Sequence, residues 1–297
     1  MKILITGGSG YIGSKLSAAL KQKGHEVEIF DQPKDIRNKA EIDAAVKDKD
    51  IVYHLAALAN LSYTDTHPEE TFDVNVKGTI NVADACANNK VLLNFISTSC
   101  IYGEPLEIPS IEDSLINPSD SYAASKASGE WAIKAWRMSK GLDYNILRLG
   151  TVYGPGLGNQ IRTDTAIPVF LLNVIQGKKI PILGTGKEIR NYIHIDDLIE
   201  ALVAVTEKGI RNEMINIAGI EQISVLDIAR TALKLAGLPD DYIEFNSARK
   251  NNFKYQFVNI KKAEKLLGWY PKIRFEHGMA ELYEWIKRNQ IKGVTNP

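Results

Sequence analysis

The segment that decides the fold is KILITGGSGYIG, residues 2–13. An apolar run typical of a β-strand leads through a glycine-rich turn into a helical pattern over residues 11–23. From Gly8 onward the turn has the spacing G-x-G-x-x-G between strand and helix, the context that this spacing requires. Such a turn brings backbone N–H groups to a pyrophosphate at the positive end of the helix, while Gly13 permits close packing of helix on strand. The segment predicts a dinucleotide site, with these candidate residues: Gly7, Gly10, Tyr11, Ile12 and Gly13.

Short apolar runs alternate with helical patterns as far as residue 149. The runs are 2–6, 26–30, 50–56, 92–98 and 144–149, and the helical patterns between them include 71–88 and 119–140. Parallel strands need crossover helices, so this alternation predicts a doubly wound parallel α/β sheet of the Rossmann type.

The alternation stops after Gly154-Pro155-Gly156, where a smaller α/β lobe is expected to begin. We assign residues 1–152 to a dinucleotide-binding domain, with a return segment near 189–207. Residues 153–188 and 208–297 are assigned to a smaller substrate-binding domain. The helical patterns near 195–208, 224–236, 261–267 and 277–288 fall in this second part of the chain.

The composition narrows the class of partner. Lys plus Arg and Asp plus Glu number 36 each in 297 residues, so no net charge favours nucleic acid or an anionic membrane. No uncharged apolar stretch approaches the roughly 18 to 20 residues that a membrane span needs. Two cysteines, Cys86 and Cys100, are too few for a disulfide framework, and no cluster has metal-ligand spacing. We expect a cytoplasmic protein that binds a small molecule and no metal.

Asp31 ends the second predicted strand, 18 residues after Gly13. At this spacing a carboxylate can accept hydrogen bonds from the adenosine ribose hydroxyls, and it would repel a 2′-phosphate. No arginine stands beside Asp31, so the sequence predicts NAD rather than NADP.

Tyr122 and Lys126 are four residues apart in the helical stretch 119–140, so both side chains lie on one face about a turn apart. A phenol with a pKa near ~10 is a poor base at neutral pH, but a neighbouring ammonium favours the phenolate. The pair therefore predicts a general base, Tyr122, tuned by Lys126.

Several motifs together resemble the extended short-chain dehydrogenase/reductase family, and within it the NAD-dependent nucleotide-sugar epimerases and dehydratases. They are TGGSGYIG (6–13), DIR (35–37), HLAAL (54–58), NVKGT (75–79), STSCIYGEP (97–105), SYAASK (121–126), LRLGTVYGPG (147–156), RNYIHIDD (190–197) and LLGWYP (266–271). The resemblance covers nearly the whole chain. UDP-glucose and UDP-galactose 4-epimerases are the most similar group.

The resemblance implies roles for further residues. Asp35 and Ile36 would flank the adenine, Asn75 would brace the strand ends, and the dinucleotide would be lined by Leu55, Ala56 and Ala57. Thr98 would hydrogen-bond the reacting hydroxyl, and Lys126 would also hold the nicotinamide ribose. Arg190 and Arg249 would grip the nucleotide phosphates. Further substrate contacts are expected from Ser99, Cys100 and Thr151, while His54 and His194 are expected to be packed rather than catalytic.

The reaction that these residues suggest is 4-epimerisation through a transient 4-ketosugar. Tyr122 would remove a proton from a sugar hydroxyl while hydride passes from the same carbon to NAD and later returns to its other face. Dehydratases and decarboxylases of the family carry Glu, often Asp-Glu, after the threonine, where this chain has Ser99 and Cys100. Their acid/base pair is therefore missing, which argues against elimination.

Two alternatives remain open from the sequence. The run S-T-S-C-I-Y is also similar to GDP-fucose synthases and GDP-mannose 3,5-epimerases, in which the cysteine exchanges protons, but residues 162–168 supply no His or Lys as its partner. A non-catalytic NAD-binding regulator is the other alternative, since fold alone does not fix activity. Relatives of this group commonly dimerise through two helices, so a homodimer is expected, with Trp131 and Trp136 as candidate contacts.

Overall fold

The computed structural model describes residues 1–158, 161, 163, 165–247 and 254–293. Within them the strands are, in chain order, β1 (Lys2–Thr6), β2 (Glu26–Phe30), β3 (Ile51–His54), β4 (Leu92–Thr98), β5 (Tyr144–Leu149), β6 (Thr151–Tyr153), β7 (Ile180–Leu183), β8 (Ile189–His194), β9 (Glu213–Ile217), β10 (Gln222–Ser224), β11 (Ile243–Asn246) and β12 (Tyr255–Gln256).

The α-helices of the same residues are α1 (Tyr11–Gln22), α2 (Lys39–Val46), α3 (Leu61–Thr66), α4 (Pro68–Phe72), α5 (Gly78–Asn89), α6 (Ser121–Lys140), α7 (Ala166–Ile175), α8 (Ile195–Glu207), α9 (Val225–Ala236), α10 (Lys261–Leu267) and α11 (Phe275–Gly293). A π-helical turn, Asp73–Lys77, leads into α5, and 3-10 turns cover Ser99–Tyr102 and Asp240–Tyr242.

Six parallel strands form the main sheet in the order β2-β1-β3-β4-β5-β9. All seven residues of β4 are buried, as expected for a strand covered on both faces. The strand order reverses between β1 and β3, and at such a point an open sheet has a crevice beyond the carboxyl ends of its strands. The predicted doubly wound α/β class is confirmed.

Helices cover both faces of this sheet. On one face α1 contacts α8, and their apolar side chains share a core with β1, β3 and β5. On the other face α5 contacts both α2 and α6, and these helices enclose a second core around Leu93, Phe95 and Ile133. The crevice lies at the edge of this three-layer body.

The second lobe has its own sheets and core. β8 pairs with β6, β10 and β12, and β7 pairs with β11. The helices α7, α9 and α11 contact one another over a separate apolar cluster.

The division between the lobes differs from the expected boundaries in three ways. Residues 213–217, expected in the second lobe, form β9 of the main sheet, where they cover the edge of β5. Residues 189–194 of the expected return segment form β8 of the small sheet, so only α8 returns to the main body. Helix α10 shares the core of α8 and the main sheet, with Leu267 and Trp269 buried there. The order of these elements along the chain does not indicate which lobe each of them joins.

Candidate active site

The glycine-rich turn lies between the ends of β1 and β3. Gly7 has φ +68°, and a Cβ built there would be 2.7 Å from the backbone N of Ala56. A Cβ on Gly13 would overlap the carbonyl oxygen of Gly7, so the close approach of α1 to the strand requires glycine. Gly10 is the N-cap of α1 and has no side chain to cover the amides of its first turn, where Tyr11 and Ile12 begin the helix.

Asp31 stands beside this turn, as the spacing predicted. Its Oδ2 accepts a hydrogen bond from the Ser9 backbone N at 2.9 Å, and its Oδ1 accepts one from the Gln32 backbone N at 2.8 Å. The carboxylate therefore has a fixed orientation at the carboxyl end of β2. A hydroxyl pair brought to this point would find an oriented acceptor.

Asp35 is held by an arginine that the sequence analysis did not single out. Arg37 Nη2 lies 2.6 Å from Asp35 Oδ2, and Arg37 Nη1 lies 3.0 Å from Asp73 Oδ2. The hydrogen bonds from Arg37 hold the pKa of Asp35 below its usual range. Ile36 is buried against Gly78, where a Cβ would strike its side chain.

The residues after β3 line the crevice and are held in place by hydrogen bonds to Thr6 and Asn75. Leu55 and Ala56 donate backbone hydrogen bonds to Thr6, and Ala57 follows them, half-buried. Buried Asn75 accepts from the Leu58 backbone N at 2.7 Å and donates to the Leu58 carbonyl and to Ser125 Oγ, each at 2.9 Å. Asn75 thus joins this segment to α6.

The two histidines that were expected to be packed are buried. His54 shares hydrogen bonds with the hydroxyls of Thr6 and Thr79, and burial, with the nearby Lys126 charge, lowers the pKa of His54 to about 3. His194 accepts from the Asp196 backbone N at 3.4 Å and so caps α8. Both imidazoles are structural in these positions.

Tyr122 and Lys126 lie in the first two turns of α6, which begins at an Asp120 cap that accepts from the Ala123 backbone N at 2.7 Å. Lys126 is 4% exposed, and its Nζ donates to the Ile96 carbonyl at 2.8 Å and lies 4.8 Å from the centre of the Phe95 ring. Burial lowers the pKa of Lys126 to about 8, and the Glu130 carboxylate opposes this shift. Tyr122, one turn away, is half-buried.

Thr98 ends β4 beside this helix. Its Oγ1 accepts a hydrogen bond from the Cys100 backbone N at 3.2 Å and so begins the 3-10 turn that contains buried Ser99 and half-buried Cys100. Burial raises the pKa of the Cys100 thiol, while the Thr98 hydroxyl and the Gln256 side chain oppose the shift. At neutral pH Cys100 is a thiol.

The two described candidates for substrate binding in the second lobe lie on its small sheet. Thr151 on β6 is in register with Tyr192 of β8. Arg190 on β8 is half-buried, donates to the Ile189 carbonyl at 2.8 Å, and acts electrostatically on Cys100. The structure therefore brings Arg190 of the second lobe near Cys100 of the main body. Arg249 lies outside the described residues.

Gln256 is a site residue that sequence reasoning missed. It is in register with Arg190, its side chain acts on the Cys100 thiol, and its buried Nε2 has no hydrogen-bond partner among the residues described. A buried amide nitrogen in this condition is a donor for a ligand or a water molecule. The two-residue strand β12 carried no pattern that could have indicated it.

Glu130 and Arg148 form a buried ion pair next to Lys126. Arg148 Nε and Nη2 donate to the two carboxylate oxygens of Glu130 at 3.0 and 2.7 Å. Burial lowers the pKa of Arg148, but the bonds to Glu130 outweigh it and the net shift is upward. The spacing of Lys126 and Glu130, four residues on one helix, was a usable signal for Glu130.

One group of metal-ligand type comes together only in the folded chain. His194, Asp196 and Glu281 have ligand atoms within 4.8 Å of one another. The Lys15 ammonium lies 2.7 Å from Asp196 Oδ1, and His194 caps α8, so existing contacts account for two of the three groups. Among the described residues, no helix combines the length and apolarity that crossing a membrane requires.

Comparison with known proteins gives a consistent group. A family model described as "NAD dependent epimerase/dehydratase family" matches residues 3–218. A putative UDP-glucose 4-epimerase of Methanocaldococcus jannaschii is 30% identical over 307 residues, which cover 97% of this chain and 99% of that protein.

Two solved structures are similar over nearly their full lengths. The UDP-glucuronic acid 4-epimerase from Bacillus cereus, in complex with UDP-glucuronic acid and NAD, is 31% identical with a TM-score of 0.89, and the match covers 97% of this chain and 99% of that one. A dTDP-glucose 4,6-dehydratase from Streptomyces venezuelae with NAD bound is 25% identical with a TM-score of 0.91, and the match covers 98% of each chain.

Proposed function

The chain belongs to the NAD dependent epimerase/dehydratase family, and from that premise we propose that it is a nucleotide-sugar 4-epimerase of the UDP-glucose/UDP-galactose type. Membership confirms the resemblance, the enzyme class and the cofactor NAD expected from the sequence. The observation that supports the chemistry is the buried Lys126 ammonium one helical turn from Tyr122. The choice of epimerisation rests on Ser99 and Cys100, which follow Thr98.

The residues at the crevice fit a dinucleotide. The amides that follow Gly10 at the start of α1 suit a pyrophosphate, and the oriented carboxylate of Asp31 suits the adenosine ribose. We place Asp35 and Ile36 at the adenine, and Lys126 at the nicotinamide ribose. When bound, NAD supplies the hydride acceptor and donor of the reaction.

The chain's own residues then handle the proton. Tyr122 removes the proton of the sugar C4 hydroxyl, and Lys126 makes this possible because its positive charge favours the phenolate. Thr98 hydrogen-bonds the same hydroxyl and orients it. The proton returns from Tyr122 to the 4-ketosugar once the sugar has turned its other face, so no net acid or base is consumed.

The residues beside Thr98 favour epimerisation over elimination. Ser99 and Cys100 stand where an acid/base pair would be needed, Ser99 is buried, and burial raises the pKa of the Cys100 thiol. A thiol that stays protonated at neutral pH offers little thiolate to act as the base in the proton exchange of a 3,5-epimerase. Arg190, and Arg249 by resemblance, are proposed to bind the diphosphate, with Thr151, Ser99 and Cys100 near the sugar.

We also propose a cytoplasmic homodimer. Both cysteines of the chain are unpaired thiols, and Trp131 on α6 is 59% exposed, an uncommon position for a large aromatic side chain. Trp136 is half-buried and donates to Asp84 at 3.1 Å, so it contributes less to that surface.

The test is to incubate the protein and NAD with UDP-, GDP- and dTDP-sugars and to follow the products by NMR in D2O. We expect interconversion of UDP-glucose and UDP-galactose without deuterium at C3 or C5. Deuterium there would instead support the Cys100 alternative, and inertness toward every sugar with NAD bound would support a regulator.

Tyr122→Phe tests the base within the same assay. We expect its turnover to fall by about 10²-fold or more, since proton transfer by a positioned group contributes about that much. Tyr270→Phe, at an exposed tyrosine, is the matched control and should keep full activity. Unchanged turnover in Tyr122→Phe would refute the assignment.

A further inference from the structure

A completely buried carboxylate lies one turn beyond Lys126 on α6. Glu130 is 0% exposed, and its Oε1 accepts from Ser97 Oγ at 2.6 Å and from Arg148 Nε at 3.0 Å, while Oε2 accepts from Arg148 Nη2 at 2.7 Å. These bonds join α6 to the adjacent strands β4 and β5. Both carboxylate oxygens of Glu130 are thus hydrogen-bonded within the protein and shielded from solvent.

Arg148 extends the same network to the segment that follows Gly103. Its Nη1 donates to the Tyr102 hydroxyl at 2.8 Å and to the Glu112 carbonyl at 2.6 Å. The guanidinium thus uses its full fork within the protein and is not offered to a ligand. A buried pair of this kind is often no more stable than apolar residues of similar volume, so its retention calls for another reason.

We propose that Glu130 is a positioning residue for the reaction above, which keeps the Lys126 ammonium charged and fixes the rotation of α6 without touching cofactor or substrate. The inference rests on the proposed function for its chemical consequence. The coupling between Glu130 and Lys126 itself can be measured without it.

Glu130 supplies the negative charge that favours the charged form of Lys126. His54 on β3 is neutral, Tyr122 precedes Lys126 on the same helix face, and Arg148 on β5 adds a second cation behind Glu130. Without the charge of Glu130, the buried cations Lys126 and Arg148 would both lose the carboxylate that acts on them. Lys126 is the one that can release its proton, because the guanidinium cannot.

Loss of that proton would act on Tyr122. A neutral amine no longer favours the phenolate, so Tyr122 would cease to be an effective base at neutral pH. Binding of the nucleotide sugar involves other residues and would be little changed. The expected signature is a loss in kcat that grows with pH, at a nearly constant KM.

The experiment titrates Lys126 in protein labelled with 13C at the lysine Cε, with the resonance assigned by its absence in Lys126→Met. The variants are Glu130→Gln and the pair Glu130→Gln/Arg148→Met, which removes both buried charges and so protects the fold. In Glu130→Gln we expect the pKa of Lys126 to fall by about 1–3, the range for loss of a close opposite charge. In the pair we expect a smaller fall, because the positive charge of Arg148 is removed as well. Glu284→Gln, at an exposed residue of α11, should leave it unchanged.

Kinetics of the same proteins give the second readout. In Glu130→Gln we expect kcat at pH 8 to fall about tenfold or more, the alkaline limb of the pH profile to move to lower pH, and KM to stay within about twofold. The pair variant should change in the same direction by less. An unaltered Lys126 titration, or equal loss in kcat and KM with an unchanged pH profile, would overturn the proposal. A wild-type protein inert toward nucleotide sugars would refute the proposed function alone, since the titration would still decide the coupling.

Discussion

Lys126 is a charged side chain whose burial costs stability at a position proposed for catalysis. An ammonium group loses its hydration when it is buried, and here one carbonyl, one aromatic ring and a carboxylate replace the water. The pKa of Lys126, lowered to about 8, measures how incomplete that replacement is. Residues of this kind reduce stability in exchange for reactivity.

Lys126→Met is therefore expected to be more stable than the wild type and inactive. At pH 7 the folded and unfolded states both carry the proton, and the depressed pKa corresponds to a cost of about 3 kcal/mol in the free energy of unfolding. Loss of the hydrogen bond to the Ile96 carbonyl offsets part of this stabilisation, so we expect the free energy of unfolding to rise by about 1–3 kcal/mol. Urea unfolding at pH 7 measures it.

The sign of the pH dependence provides the check. Between pH 8 and 10.5 the unfolded wild type binds more protons than the folded protein, so wild-type stability rises with pH through this window. The advantage of Lys126→Met should shrink accordingly when unfolding is repeated at pH 9 and 10. A variant that is less stable at pH 7 would show that Lys126 serves packing rather than catalysis.

Asp31 is expected to determine the choice between NAD and NADP. Asp31→Asn keeps an oxygen for the Ser9 amide but removes the charge, so NAD should bind about 10- to 100-fold more weakly, as for loss of charge-assisted hydrogen bonds. NADP, no longer repelled, should lose far less. Titration calorimetry with both cofactors tests this, with Asp48→Asn as control; an unchanged NAD:NADP ratio would contradict it.

Candidate site residues that are defined by local spacing could be proposed from the sequence. The glycine turn, Asp31 and the Tyr122–Lys126 pair follow from short intervals within one strand-turn-helix or one helix. Glu130 shared that kind of signal and was still missed. Gln256 and the partners of Arg37 come together through tertiary contacts alone, so their spacing along the chain carries no information.

The first turn of α6 allows a cap to be tested for its effect on chemistry. Asp120 caps α6 two residues before Tyr122, and Ser224 caps α9 through the Asp227 backbone N at 3.0 Å. Asp120→Ala and Ser224→Ala should each lower the free energy of unfolding by about 1 kcal/mol. Only Asp120→Ala should also lower kcat, because fraying of that turn displaces Tyr122.

Thermal unfolding and steady-state kinetics of the two variants separate these effects. Equal loss of kcat in both variants would mean that activity follows general stability, and an unaffected Asp120→Ala would mean that Tyr122 is held by other contacts. Either result would show that the Asp120 cap does not position Tyr122 for catalysis.

Whether a segment forms a helix or a strand was easier to predict than which sheet or lobe it joins. The helix at 261–267 was predicted from its pattern. The strand at 213–217 was not singled out, although its buried run INIA (215–218) is typical of a strand covered on both faces. What the pattern does not contain is which sheet edge the strand joins. That choice depends on the exposed edge of β5, which only the assembled sheet presents.

The largest exposed side chains of α6 predict how two copies associate. Trp131 is 59% exposed and Met138 is 88% exposed, and seven residues apart on a helix they share one face. We expect the 33.0 kDa chain to sediment as a dimer and Trp131→Glu to sediment as a monomer that still binds NAD. Sedimentation velocity, with Tyr270→Glu as control, measures this; a monomeric wild type would rule the interface out.

The return of β9 and α10 to the main body means that the backbone travels between the lobes repeatedly. No single cut can therefore release either lobe with all of its strands and helices, because β5 would lose its neighbour and the apolar surface under Trp269 would be laid open to water. One lobe of such a protein cannot be replaced by a foreign domain, as is possible in proteins whose domains follow one another along the chain. New substrates have to be acquired by changes in its loops, within an architecture that is inherited as one piece.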